Sequence, residues 1–319
     1  MEGVLSPLFC HALAEKGYVR SWISPFYRVS TGGVPKLKKL EREIRHLLDT
    51  KLPVVVQLMG TNADLIAEVA ERFMTIEGVI GLNFNFACPS KRVMLRGAGG
   101  ACMQNPVLMQ EIVEKTMKAC PGVSVSAKTR TGFESELECE RILPMLRDLG
   151  CDFVAVHHRT VKEGYGKGIT REERLERAKK AWGDKPLFAS GDIFGVDDVL
   201  SLEKSGCCEG VMIARGLIRK PLLIAEVREA LADPERKHEG DSQQRAQAYD
   251  FLEQILNLCQ DHKDRYWSHR YLMELSKNLM GLHDPCFRAF TKYSDVDGPE
   301  PLMEKLFEFK KAEFESLNE

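Results

Sequence analysis

The chain alternates short apolar runs with longer amphipathic segments. Seven of the short runs are typical of β-strands: WISPFYRV, PVVVQLMG, GVIGLNFNF, VSVSAKTR, FVAVHHRT, PLFASGD and EGVMIARG. Apolar residues recur at helical spacing in the segments between them, LKKLEREIRHLLD, ADLIAEVAERFMT, PVLMQEIVEKTMKA, ELECERILPMLRDLG and VDDVLSLEKSG. Such alternation predicts parallel strands that are joined by crossover helices.

The number and order of these elements indicate an α/β fold, the (β/α)8 TIM barrel. A closed barrel needs eight strands, and the chain shows seven. The first strand is therefore short or missing, because the opening MEGV is typical of a loop that follows a strand. We assign the barrel to residues 1–235.

A second region follows a polar stretch, ADPERKHEGDSQQ, which is typical of a linker or exposed turn. Beyond it the pattern is helical only, in QAYDFLEQILNLCQDH, YWSHRYLMELSKNLMGL and PEPLMEKLFEFKKAEFESL. We therefore predict a small all-helical domain at residues 241–319.

Composition and charge exclude several classes of protein. The chain of 319 residues has a net charge of -2, so any nucleic-acid surface must be local. No apolar window reaches the ~18 residues of a membrane helix, and the N-terminus lacks a signal-peptide pattern. The ten cysteines include no CxxC pair, so we expect reduced thiols in a cytoplasmic protein and no metal site. We further expect a monomer.

Polar residues gather where the predicted strands end. In parallel barrels the functional residues lie at the carboxyl ends of the strands. Isolated residues of these types are usually solvated or packed, whereas six polar strand ends together indicate a site. The residues at these ends are Gln57; Asn83, Asn85 and Cys88; Lys128 and Arg130; His157, His158 and Arg159; Ser190, Gly191 and Asp192; and Ala214, Arg215 and Gly216.

The last two strand ends are typical of a barrel phosphate site. Glycine allows backbone N–H groups to approach an anion, and Arg215 could add a bidentate contact. Gln57 and Lys128 could hold the polar edge of a planar ring. This arrangement would suit flavin mononucleotide, although spacing alone does not identify the cofactor.

These residues give the chain a resemblance to the tRNA-dihydrouridine synthases, flavin enzymes of the TIM-barrel class. The most specific segment is NFNFACPSKRVMLRGAGGACMQNP, which is similar to the family's Asn-x-Gly-Cys-Pro loop and glycine-rich turn. PVVVQLMG, AKTRTG, VHHRTVKEGY, SGD and MIARG are similar to further family motifs and occur in the same order.

The resemblance implies a role for each of these residues. Cys88 would be the catalytic proton donor, FMN the cofactor, NADPH the reductant, and tRNA or another structured RNA the substrate. The helical domain would grip the RNA. FMN would be bound by Met1, Glu2, Gln57, Lys128, His157, Ser190, Gly191, Asp192, Ala214 and Arg215. The RNA would be bound by Arg28, Asn85, Arg130 and Tyr165.

The implied reaction, reduction of uridine to 5,6-dihydrouridine, accounts for a thiol after a buried strand. A hydride must reach C6 of the uracil and a proton must reach C5. A thiol with an ordinary pKa of ~8.5 is mostly protonated at neutral pH and can supply that proton. We expect Cys88 to lie on a mobile or exposed loop, and Cys102 to be a packing residue.

Several alternatives stay open. Lys91, Arg92 and Arg96 could hold phosphates or form a solvated charged loop. The protein could instead be a barrel flavoenzyme that reduces a free small molecule, or a catalytically weakened RNA-binding relative. In the helical domain, Tyr266, Trp267 and Tyr271 could stack bases or pack in the core. Candidate phosphate contacts there are Arg265, His269, Arg270, Lys277, Arg288 and Lys292.

Overall fold

Parallel strands form the centre of the first of two units in this computed structural model. The structure describes residues 6–30, 32–166, 171–220, 222–233, 241–261, 268–293 and 298–317. The strands are β1 (Trp22–Ile23), β2 (Tyr27–Arg28), β3 (Val54–Met59), β4 (Val79–Asn85), β5 (Ser124–Arg130), β6 (Phe153–His157), β7 (Leu187–Ser190) and β8 (Gly210–Met212).

The helices alternate with these strands and then continue alone. They are α1 (Pro7–Glu15), α2 (Leu37–Leu48), α3 (Ala63–Met74), α4 (Lys91–Met94), α5 (Pro106–Ala119), α6 (Cys139–Asp148), α7 (Glu172–Trp182), α8 (Val196–Ser205), α9 (Arg215–Arg219), α10 (Leu223–Ala232), α11 (Asp241–Asp261), α12 (His269–Met280), α13 (Pro285–Phe290) and α14 (Glu300–Leu317). Short 3-10 helices lie at Gly99–Gln104 and Glu136–Glu138.

Strand order follows chain order. The sheet runs β1-β3-β4-β5-β6-β7-β8, and β2 also pairs with β3, every pairing being parallel. This is the strand and helix order of a TIM-barrel-like fold, so the predicted fold class is confirmed. Among the described residues no pairing joins β8 to β1. The expectation about the first strand depends on residues 1–5, which lie outside the described residues.

One predicted strand is two strands. WISPFYRV forms β1 and β2, which pair with the beginning and the end of β3. The interruption lies at Pro25, which lacks the N–H that a continuous ladder would use. Ser24 serves the sheet through its side chain instead, because its hydroxyl oxygen accepts a hydrogen bond from the Gln57 backbone N–H at 3.0 Å.

The helices of the first unit begin at side-chain caps and bury one apolar stripe. Asn62 caps α3 and Asn105 caps α5, each accepting a backbone N–H, from Leu65 at 3.0 Å and from Leu108 at 3.1 Å. Burying a Leu or Ile side chain stabilises the fold by roughly 1.5–3 kcal/mol. In α2 the three buried side chains are Leu40, Ile44 and Leu47.

Six helices of the structure were not predicted from the sequence: α1, α4, α7, α9, α10 and α13. Helix α7 is rich in charged residues, which hide its apolar positions from a simple pattern search. Leu175, Ala178 and Trp182 are nevertheless fully buried and are three to four residues apart. They keep α7 packed on the first unit, where Trp182 Nε1 donates to the Pro186 carbonyl at 3.0 Å.

The second unit contains residues 4–19, 194–196 and 214–319. Helix α1 begins at Ser6, whose hydroxyl oxygen accepts the Phe9 N–H, and it buries Leu8, Phe9 and Leu13. The Phe9 ring packs edge-to-face on Phe251 of α11 at 5.9 Å. Asp284 caps α13 by accepting the N–H groups of Cys286 and Phe287. The predicted domain boundary between residues 235 and 241 stays a prediction.

Candidate active site

Strand register brings the predicted polar residues into neighbouring positions at one edge of the sheet. Asn85 pairs with Lys128, Arg130 pairs with His157, and His157 pairs with Ser190. Each of these residues lies at or near the carboxyl end of its strand. The register therefore assembles the strand ends that the sequence singled out.

A chain of amide side chains crosses β3, β4 and β5. Asn85 Nδ2 donates to Gln57 Oε1, and Gln57 Nε2 donates to Asn83 Oδ1, both at 2.8 Å. Asn83 Nδ2 donates onward to Ser126 Oγ at 2.8 Å. All four side chains are buried, and these bonds hold the amides in defined orientations. The sequence indicated no role for Asn83 and Ser126. The strand register shows that their side chains extend the hydrogen-bond chain that orients Gln57 and Asn85.

Cys88 lies on a segment whose backbone is held on both sides. The Cys88 N–H donates to Asn85 Oδ1 at 3.1 Å, and the Cys88 carbonyl accepts the Gly100 N–H at 3.0 Å. The side chain is half-buried and packs beside Met59 and Val93. The predicted mobile or exposed loop is thus a hydrogen-bonded, half-buried segment, and only the side-chain torsion of Cys88 stays unconstrained by these bonds.

Two glycines make this close packing possible. A Cβ at Gly99, where φ is +61°, would lie 2.9 Å from Val93 and 3.0 Å from the Cys88 Cβ. A Cβ at Gly100 would lie 2.8 Å from the methyl groups of Val161. The glycine-rich turn of the sequence is therefore a close-packed support for Cys88.

Cys102 has a different environment. It is 1% exposed, and its thiol donates to the Gly97 carbonyl at 3.3 Å. Burial raises the pKa of this thiol to about 11. Its geometry is that of a packing residue, as we expected.

Lys128 supplies a cation next to the Cys88 segment. Among the described residues its ammonium has no hydrogen-bond or ion-pair partner. Desolvation, and to a smaller degree the charge of Arg130, lowers the pKa of Lys128 to about 8. An unpaired ammonium with a lowered pKa can bind an anionic ring edge or a developing negative charge.

Arg130 is 1% exposed and donates to backbone carbonyls. Nε bonds Ala87 O at 2.9 Å, and Nη1 bonds Thr160 O and Gly164 O at 2.8 Å each. The guanidinium also lies 5.6 Å from the ring centroid of Tyr165, which is 58% exposed. Two of the four residues predicted to bind RNA, Arg130 and Tyr165, therefore contact each other.

His157 and His158 stack on each other at the end of β6, with ring centroids 5.1 Å apart. Burial, reinforced by Arg130 and Lys128, lowers the pKa of His157 far below its ordinary value. Burial and Arg159 lower the pKa of His158 to about 4. Both rings are therefore neutral at physiological pH. His157 Nδ1 accepts the Arg159 N–H at 3.2 Å, so the proton of the neutral His157 ring lies on Nε2.

Arg159 pairs with Asp192 and keeps one donor without a partner. Its Nη2 bonds Asp192 Oδ2 at 2.5 Å, and Nε bonds Gly166 O at 2.7 Å. The residue is 4% exposed, and within the described part of the chain its buried Nη1 has no acceptor. The sequence predicted that Arg159 lies at a strand end but indicated no function for it. An unsatisfied donor can be recognised only in the three-dimensional structure.

Gly191 and Asp192 turn the chain sharply after β7. Gly191 has φ of +105°, and a Cβ there would meet His158 Nδ1 at 2.7 Å and His157 Nε2 at 2.9 Å. Asp192 has φ of +49°, a rare left-handed conformation for a residue with a side chain. The turn brings the backbone next to the two imidazoles and directs Asp192 to Arg159.

These features fit an anionic planar cofactor. The unsatisfied Arg159 Nη1 and the close backbone approach at Gly191 suit a phosphate. Gln57 on β3 and Lys128 on β5 lie on either side of β4 and suit a polar ring edge. These observations agree with the expectation of FMN, and the individual contacts stay predictions.

Other predicted residues lie elsewhere or outside the described residues. Met1, Glu2, Arg265, Tyr266 and Trp267 are outside them. Ala214 and Arg215 belong to the second unit, where the Arg215 guanidinium lies 5.4 Å from the Phe194 ring. Arg28 is at the end of β2 and half-buried. Lys91, Arg92 and Arg96 are exposed, and none has an ion-pair partner among the described residues.

Some of the basic residues predicted to contact phosphate in the helical region are bonded to neighbouring side chains, and others are not assigned a role by the geometry. Lys277 pairs with Glu274 at 2.6 Å, and Arg288 bonds His283 at 3.4 Å. His269, Arg270 and Lys292 carry no role that the geometry defines. No helix in the described ranges is both long and apolar enough to span a membrane.

Comparison with known proteins places these features in context. The sequence model of the family described as "Dihydrouridine synthase (Dus)" matches residues 3–295. The probable tRNA-dihydrouridine synthase of Aquifex aeolicus is 32% identical over 193 residues, which cover 59% of this chain and 59% of that protein. The tRNA-dihydrouridine(16) synthase of Vibrio vulnificus is 30% identical over 228 residues, 70% of this chain and 71% of that protein.

Solved structures support the fold alone. The old yellow enzyme from Trypanosoma cruzi aligns with a TM-score of 0.50 at 8% identity, covering 70% of this chain and 82% of that one. A 2-naphthoyl-CoA reductase complex aligns with a TM-score of 0.52 at 12% identity, covering 72% of this chain and 47% of that one.

Proposed function

Because this chain belongs to the dihydrouridine synthase family, flavin-dependent oxidoreductases that reduce uridine to 5,6-dihydrouridine, we propose that it performs this reaction on tRNA with FMN and NADPH. Cys88 is the proton donor. The arrangement at the ends of β4 and β5 carries the assignment, because a half-exposed thiol on a fixed backbone lies beside the Lys128 ammonium, which has no ion-pair partner among the described residues.

The thiol of Cys88 is the only half-exposed thiol at this edge of the sheet among the described residues. The ten cysteines are free, and eight of them are buried. The other half-buried thiol, Cys208, precedes β8 and therefore lies toward the amino edge of the sheet. The carboxyl edge is where barrel enzymes place their chemistry.

FMN, when bound and reduced, supplies the hydride that reaches C6 of the uracil. The chain's own residues do the rest. Cys88 gives its proton to C5 and is left as a thiolate, which regains a proton from solvent. Lys128, while protonated, stabilises negative charge in this region. Asn85 holds the Cys88 N–H, so the thiol approaches the base from a defined position.

The Asp192 end of the site would hold the ribityl phosphate. Arg159 presents an Nη1 donor that has no acceptor among the residues the structure describes, and Gly191 allows close backbone approach. His157, Ser190, Ala214 and Arg215 complete the proposed cofactor contacts, together with Met1 and Glu2. Arg28, Asn85 and Tyr165 are the proposed RNA contacts, joined by the exposed cations Lys91, Arg92 and Arg96.

We propose the cytoplasm as location and a monomer as the working state, the former because no cysteine pair forms a disulfide among the described residues.

Two measurements test this function. The purified protein should carry the visible spectrum of an oxidised flavin, with FMN released on denaturation. NADPH should bleach that spectrum anaerobically faster than NADH. A protein that neither contains FMN nor binds added FMN would contradict the proposal.

The second measurement maps dihydrouridine in the total tRNA of cells with and without this protein. Position 16 is the first to inspect, because relatives at about 30% identity are named for it. Wild type should restore the missing dihydrouridine and Cys88→Ala should not. An unchanged map would contradict a tRNA substrate and favour a small-molecule reductase.

A further inference from the structure

Arg130 is the most buried cation among the described residues, and the hydrogen-bond partners of its guanidinium are uncharged backbone carbonyls. It ends β5, is 1% exposed, and has no carboxylate within ion-pair distance among the described residues. Burying a charge without a counter-charge is costly, so its hydrogen bonds must offset desolvation. Burial lowers the pKa of Arg130 to about 10, which leaves it charged at neutral pH.

The donors of Arg130 join two loops. Nε holds the Ala87 carbonyl, which belongs to the peptide bond that leads into Cys88. Nη1 holds the Thr160 and Gly164 carbonyls, which flank the turn before Tyr165. One planar group therefore fixes the loop after β4 relative to the loop after β6.

The same peptide bond is held at its other end. Asn85 Oδ1 accepts the Cys88 N–H at 3.1 Å, while Arg130 Nε donates to the Ala87 oxygen at 2.9 Å. Both polar atoms of the Ala87–Cys88 peptide are thus satisfied by side chains. The Cys88 carbonyl is bound to Gly100, so the backbone position of Cys88 follows from three hydrogen bonds.

From this geometry we infer that Arg130 is a positioning residue: it braces the Ala87–Cys88 peptide against the loop that carries Tyr165. The brace fixes where the Cys88 thiol starts its approach to the base. This inference rests on the proposed function and changes the role expected for Arg130, since the guanidinium is committed to backbone carbonyls.

The test uses the flavin-loaded enzyme without RNA and the alkylating agent iodoacetamide. Arg130→Lys keeps the charge and removes the planar fork, so it isolates positioning from electrostatics. Alkylation of Cys88 is followed by mass spectrometry up to the high-pH plateau, where the rate reports access to the thiol. In Arg130→Lys we expect the plateau alkylation rate of Cys88 to rise at least roughly tenfold. Loss of one hydrogen bond to a charged group destabilises the braced backbone by about that factor.

Two references make the result specific. Cys208, the other half-buried thiol, should react at its wild-type rate in the same sample. Arg177→Lys changes an exposed arginine that bonds Glu140 at 3.3 Å and should leave Cys88 unchanged. In turnover, Arg130→Lys should lower kcat and leave the KM for tRNA within about twofold. A raised KM with unchanged alkylation would overturn the inference and make Arg130 a substrate ligand.

A measurement on the wild type covers the case in which the variant does not fold. Hydrogen exchange at the Cys88 amide should be as slow as at the β4 amides, because the brace closes this segment. Fast exchange at Cys88 beside slow exchange in β4 would overturn the inference. The alkylation and hydrogen-exchange measurements do not require turnover. Both can therefore contradict the positioning role of Arg130 while Cys88 is still the proton donor.

Discussion

Two buried arginines at neighbouring parts of the candidate site differ in how their donors are used. Arg130, on the Cys88 side, directs Nε and Nη1 to three backbone carbonyls. Arg159, on the Asp192 side, pairs with a carboxylate, and its buried Nη1 has no acceptor within the described ranges of the chain. We interpret the first arrangement as a closed brace for the Cys88 segment and the second as a proposed site for an anion. Burial alone would not have separated them.

The largest expected effect is on the Cys88 side. Cys88→Ala should lower kcat by roughly 10²–10⁴-fold, the usual contribution of a positioned general acid, and leave FMN bound. Cys102→Ala should keep kcat near wild type, because that thiol is buried against Gly97. Steady-state dihydrouridine formation compares the two variants. Comparable losses of kcat in both variants would contradict the assignment of a catalytic role to Cys88 and a packing role to Cys102.

The Asp192 side should respond through cofactor affinity. Arg159→Met should weaken FMN binding by roughly 10–150-fold, the cost of one or two charged hydrogen bonds. Riboflavin, which lacks the phosphate, should lose much less affinity. Fluorescence titration of both flavins measures this difference, and Arg130→Lys serves as the control that leaves FMN affinity unchanged. Equal losses for FMN and riboflavin would break the comparison between the two arginines.

Lys128 should make flavin binding depend on pH. Its pKa is lowered to about 8, so the ammonium is charged below that pH and loses its charge above it. FMN affinity should fall between pH 7 and 9.5, by up to about tenfold for loss of one charged contact. Lys128→Met should bind FMN weakly and show a flat profile over this range. A wild-type profile without slope would exclude Lys128 as a charged contact.

The exposed basic residues beside the Cys88 segment should change RNA affinity by smaller factors. Changing Lys91, Arg92 or Arg96 to Gln should raise the KM for tRNA a few-fold and leave kcat unchanged. Each lost phosphate contact should reduce the slope of log K against log salt by about 0.7–0.9. An unchanged salt slope would assign these cations to a solvated face.

The smallest effect is on stability at low pH. His158 is 1% exposed and has a folded pKa of about 4, against about 6.5 in the unfolded chain. The unfolded state binds more protons between these values, so His158 should cost stability as pH falls from 6.5 to 4. His158 should contribute a slope of about 1 kcal/mol per pH unit, and His158→Asn should remove that contribution and leave the one from His157. Urea unfolding at a series of pH values measures both.

Periodicity was sufficient for the sheet and for most of its helices. The strands carry continuous apolar runs, and the polar residues at their ends are visible without coordinates. The prediction of a single strand over WISPFYRV was wrong, because Pro25 divides the segment into β1 and β2. Helix α1 was also missed, although the Ser6-Pro7 pair is a typical helix start.

The support of the candidate site was harder to predict than its members. Cys88, Lys128 and Asn85 belong to recognisable motifs. The brace at Arg130 is formed with carbonyls of Ala87, Thr160 and Gly164, and a carbonyl has no sequence signature. The Arg159 Nη1 lacks an acceptor in the described part of the chain because of the packing around it, which no pattern of residue types encodes.

The most direct test of the account is a single turnover with enzyme whose FMN has been reduced beforehand. Mixed anaerobically with unmodified tRNA, wild type should oxidise its flavin and form an equal amount of dihydrouridine. Cys88→Ala should bind the same tRNA and keep its flavin reduced over the same period. Flavin oxidation and dihydrouridine formation at the wild-type rate in Cys88→Ala would contradict the assignment of the proton to Cys88.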